Sequence, residues 1–101
     1  MSEHDFTELY SHYPALIGQM SETFTSHEFI LRLAQQHQKL YIEALYAYRD
    51  LLHRGEHAPF MIVHGILAQH LAAIPALEQL PSVPSADIFG QSNECSQWRK
   101  R

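Results

Sequence analysis

From Ser26 to Arg54 no glycine or proline interrupts the chain, and this stretch most constrains what the sequence can fold into. It is entered through Phe24-Thr25-Ser26-His27-Glu28-Phe29. Here the Thr25 hydroxyl can accept from the Glu28 backbone N–H, the Glu28 carboxylate can accept from the Thr25 N–H, and Phe24 can pack on Phe29. Together these make a capping box with a hydrophobic staple, which predicts a helix beginning at Ser26. Apolar residues continue at helical spacing through Phe29, Ile30, Leu33, Ala34, Tyr41, Ala44, Leu45, Tyr48 and Leu52. An unbroken helix over residues 26–53 would be about 42 Å long, whereas a domain of this size has a radius of gyration of about 13 Å. The polar run Gln35-Gln36-His37-Gln38 is where we expect it to divide into two helices.

Within Leu40–Tyr48 the only charged side chain is Glu43. A helix that is apolar nearly all round belongs at the centre of a fold. Part of that surface, at Leu40, Ile42 and Tyr46, is also a candidate subunit or partner interface.

The remaining periodicities are shorter. Phe6, Leu9, Tyr10, Tyr13, Leu16, Ile17 and Met20 form one helical face, with Asp5 as its expected N-cap. Pro14 disfavours helical angles at Tyr13, which predicts a kink there or two short helices. HRGEHAP reads as a turn, and Pro59 suits the first turn of a helix running to about Ala73. That helix presents Phe60, Val63, Leu67, Leu71 and Ile74 on one side. Gly65, Ala68 and Ala72 form a small-residue face on which another helix could pack closely. After Pro75 we expect one more turn over 76–80, a PSVPS linker, a capped turn at Ser85–Gly90, and a last short helix capped by Ser92 and carrying Cys95 and Trp98. Only Met61-Ile62-Val63 resembles a strand. The expectation is therefore an all-α bundle of four or five helices, with a helix-turn-helix-like arrangement of residues 25–73. Residues 1–80 would be the helical core, and residues 81–101 a Pro/Ser linker and helical tail packed on it.

With 101 residues, 46% of them hydrophobic, the chain suits one domain. Its net charge of −4 is unevenly spread: four cations stand against eleven anions before Ser96, and Arg99, Lys100 and Arg101 follow. An acidic body disfavours phosphate, because non-specific nucleic-acid affinity rests on cations that neutralise it. The lone Cys95 fits a reducing compartment. MSEHDF lacks the pattern of a secretory signal, and no run approaches the roughly 20 apolar residues of a membrane span. The expected location is cytoplasmic.

Eight histidines raise the question of metal. His53 and His57 lie in the expected turn, His64 and His70 point in different directions on their helix, and no paired-cysteine motif exists, so no metal or cofactor is expected. Phosphate-binding loops and nucleophile elbows are absent, and the enzyme reading is not favoured. The function expected is that of a small non-catalytic interaction or regulatory protein, a homodimer or the binder of a protein partner. Leu40, Ile42, Tyr46, Trp98 and Arg99 are its candidate contacts. The alternative is a helix-turn-helix-type DNA-binding regulator in which His64, Gln69 and His70 face bases and Arg99, Lys100 and Arg101 hold phosphates. Trp98 is expected to matter for stability, and trimming Arg99–Arg101 to leave it unchanged.

Overall fold

The computed structural model describes residues 5–48, 59–86 and 92–101. Its elements, in chain order, are α1 (Thr7–Ser11), α2 (Tyr13–Gln19), β1 (Thr23–Thr25), α3 (Ser26–Gln36), α4 (Gln38–Ala47), α5 (Pro59–Leu71), β2 (Leu77–Ala86) and β3 (Ser92–Lys100). The HRGEHAP segment up to Ala58, with His53 and His57, lies outside the described residues, as do Asp87–Gly90 of the expected capped turn.

Two N-terminal helices form as the sequence predicts, although the N-cap position of α1 is Phe6 and not Asp5. Asp5 Oδ1 accepts from the Thr7 N–H at 2.9 Å, and the helix breaks at His12 so that Pro14 falls in the first turn of α2. At α3 both halves of the capping box are present: Glu28 N donates to Thr25 Oγ1 at 3.1 Å, and Thr25 N to Glu28 Oε1 at 2.8 Å. The Phe24 and Phe29 rings stack at 6.1 Å. Thr25→Ala should therefore cost about 1 kcal/mol of stability, read as a lower denaturant midpoint. An unchanged midpoint would show that the cap contributes nothing. The long apolar stretch divides at His37, a single residue between α3 and α4.

The all-α expectation is corrected by the C-terminal third of the chain. The described residues hold five helices and a three-stranded antiparallel sheet in the order β1-β3-β2, so the fold is mixed α/β and not a helical bundle. Residues expected as a turn, a proline linker and a helical tail are instead strands. Two physical features explain this. β2 is an edge strand, where proline is tolerated because its missing N–H need not face a neighbour. Leu80 pairs with Gln97 and Val83 with Cys95, so Pro81 and Ser82 together oppose Ser96 in a β-bulge. Met61-Ile62-Val63, the one strand-like run, is helical.

Nor do residues 25–73 form a free-standing helix-turn-helix unit. β1 runs directly into α3 and pairs Phe24 with Trp98 of the central strand, so the helix start is tied to the sheet. The core lies between sheet and helices: Tyr13 and Leu16 from α2, Phe29 and Leu33 from α3, Val63, Leu67 and Leu71 from α5, and Phe24, Leu77 and Trp98 from the strands are all buried. The small-residue face of α5 receives no close neighbour at its glycine. A β-carbon on Gly65 would meet no atom within 4 Å.

Candidate interaction surface

α4 packs with one side and exposes the other. Tyr41 and Ala44 are buried, and Leu40 and Leu45 rest against the core. Gln38, Lys39, Ile42, Glu43 and Tyr46 face outward. Ile42 and Tyr46, one turn apart, are 60% and 62% exposed, more than any other large hydrophobic side chain among the described residues. Beside Ile42 is a shallow depression of about 280 Å³ lined by Ala34, Gln35, Gln38 and Tyr41. Gln35 also borders a second groove, where Leu31 is 42% exposed. The outward face of α4 thus has an apolar centre, glutamines on one flank, and one cation and one anion on the other.

The other sequence-derived candidates are engaged within the chain. Trp98 is only 2% exposed and donates from Nε1 to Ser26 Oγ at 2.8 Å. Arg99 is paired with Glu78 at 2.7 Å, and the guanidinium holds that carboxyl below the usual carboxylate range by hydrogen bond and charge. Lys100 Nζ donates to the Met20 carbonyl at the end of α2 at 2.6 Å, and Arg101 Nε to the Leu77 carbonyl at 3.0 Å. All three tail cations therefore bind their own fold.

On α5, His64 is buried and shares a hydrogen bond of 2.5 Å with the Tyr41 hydroxyl. His70 lies flat on Tyr10, centroids 3.6 Å apart, and meets the edge of Tyr13; burial lowers its pKa. Gln69 is exposed. These three residues do not form one outward reading surface.

Sequence reasoning missed a cleft of about 480 Å³ between the start of α3, α5 and β3. Cys95 lies in its wall, and its Sγ accepts from the His27 N–H at 3.4 Å. No local signal foretells a contact between residues so distant in sequence. Among the described residues, no group of three or more His, Cys, Asp and Glu side chains is placed to hold a metal ion. No described helix is long and apolar enough to cross a membrane. No family model, no curated protein and no solved structure matches the chain.

Proposed function

We propose that this chain is a small non-catalytic interaction protein of the cytoplasm, and that its α4 face binds a second copy of itself. The observation that carries this reading is the pair Ile42 and Tyr46, left more than half exposed a turn apart. Fully burying one such side chain contributes about 1.5–3 kcal/mol, and tyrosine is enriched at interfaces.

Local charge favours self-pairing over a charged partner. Each face carries one cation, Lys39, and one anion, Glu43, so a twofold arrangement can set Lys39 of one copy against Glu43 of the other. A strongly acidic or basic partner would meet one like charge. The flanking Gln35 and Gln38 amides both donate and accept, and are therefore self-complementary. A nucleic-acid role is not favoured, because phosphate would have to displace three tail cations from intrachain partners, and α5 carries no lysine or arginine.

Sedimentation equilibrium tests the reading. The wild-type chain of 11.7 kDa should sediment as a dimer. Tyr46→Glu should sediment as a monomer with unchanged circular dichroism, since the side chain already faces outward. A wild-type monomer at high concentration, or a folded Tyr46→Glu variant that still dimerises as the wild type does, would refute the assignment.

A further inference from the structure

Two histidines outside the proposed interface meet where four helices are jointed. His12 stands between α1 and α2, and His37 between α3 and α4. Their rings stack with centroids 3.8 Å apart and planes 19° from parallel. Beside them Gln36 Nε2 donates to Gln19 Oε1 at 2.7 Å, and Gln19 Nε2 to Gln36 Oε1 at 3.3 Å. Neither contact is an ion pair.

Among the described residues, the surrounding elements supply no counter-ion within ion-pair distance. α1 carries Glu8; α2 has no acidic or basic side chain; α3 carries His27, Glu28 and Arg32; α4 carries Lys39 and Glu43. None of these forms an ion pair with either imidazole, the one described salt bridge being Arg99–Glu78. Glu28 is turned to its own helix cap. Of the nearby phenols, Tyr13 is bonded to the Leu67 carbonyl and Tyr41 to His64.

We propose that the His12–His37 stack is a proton-operated latch, which clamps the α1–α2 joint to the α3–α4 joint while uncharged and releases it when both rings are protonated. Neutral imidazoles stack through dispersion and shared burial, whereas two imidazolium rings at this separation repel. The pKa of His37 is lowered, first by burial and then by the charge of His12. The unfolded chain therefore takes up this proton more readily than the folded one. The contribution to stability is present above the ordinary imidazole value of about 6.5 and is lost as pH falls from there towards the lowered folded value.

Histidine NMR titration of the whole chain, together with amide exchange between about pH 7 and pH 5, tests the latch. In the wild type, His37 should titrate below the ordinary value. The amides of Tyr13 and Tyr41 should exchange roughly tenfold faster at the acid end, after correction for intrinsic rates, as local opening predicts. His12→Phe keeps a ring in the stack but removes its charge, so the His37 midpoint should rise towards normal and the acid-induced opening should disappear. His37→Phe should abolish the opening as well. An unchanged His37 midpoint in His12→Phe would overturn the proposal. So would an acid response that persists in either folded phenylalanine variant, because it would then originate elsewhere, for example at His70. If neither variant folds, the wild-type amides decide: no acceleration through the His37 titration overturns the latch, and acceleration that tracks it supports the latch.

Discussion

Trp98→Ala should lower the unfolding free energy by about 3–5 kcal/mol, the range for deleting a large buried aromatic side chain. The indole sits on the central strand, where it is 2% exposed and opposite Phe24. Its N–H is bonded to Ser26, itself buried in the first turn of α3. The substitution opens a cavity between sheet and helix and leaves the Ser26 hydroxyl without its donor. Total stabilities of single domains are about 5–15 kcal/mol, so the variant should be near the limit of folding. Trp98→Phe retains most of the packing and should lose less, which separates packing from the hydrogen bond. Guanidinium titration checks both, and a shift below 1 kcal/mol for Trp98→Ala would mean that the sheet is not docked on α3 as described. The strand also changes what trimming the tail should do. Removing Arg99–Arg101 deletes two ladder residues, the backbone bonds Lys100 N to Glu22 O and Arg101 N to Ala76 O, and the Arg99–Glu78 pair. The truncated chain should melt lower than the full one, contrary to what a solvated tail implies.

The parts of the fold legible in the sequence are those determined by local chemistry. The Thr25–Glu28 capping box, the Phe24–Phe29 staple, the Pro14 break and the polar division at His37 each act over a few residues, and their signals are written side by side. The sheet is legible only through long-range pairing. β3 reads Ser-Asn-Glu-Cys-Ser-Gln-Trp-Arg-Lys, and its side chains described as buried, Cys95 and Trp98, stand three residues apart, a spacing that imitates a helical pair and hides the two-residue alternation of a strand. In the structure both touch the start of α3, Trp98 through Ser26 and Cys95 through His27, and Trp98 also joins the main core. β2 conceals itself behind two prolines that only an edge strand with a bulge accommodates. The candidate surface shows the same division. The periodicity of α4 singles out an apolar helix, but which of its apolar residues face outward depends on where α3 and α5 pack. Leu40 and Trp98 could not be sorted from Ile42 and Tyr46 without that tertiary information.

Tyr13 is the second residue on which the fold should depend heavily, and its two simplest substitutions separate two forces. The ring is fully buried against Phe29, Tyr10 and His70, joining α2 to α1, α3 and α5. Its hydroxyl donates to the Leu67 carbonyl at 2.7 Å, and burial, assisted by Tyr10, pushes the phenol far above its ordinary range, so it stays a donor at any pH the protein meets. Tyr13→Phe removes only that donor. Because the Leu67 carbonyl is an α-helical acceptor with a second lone pair, the loss should be about 0.5–1.5 kcal/mol. Tyr13→Ala also removes the ring at the meeting point of four helices, and should cost about 3–5 kcal/mol by analogy with other buried aromatics. Paired denaturation curves with a common slope would give both values. A phenylalanine variant as unstable as the alanine one would mean that the hydroxyl, not the ring, holds α2 to α5; two variants as stable as the wild type would exclude Tyr13 from the core.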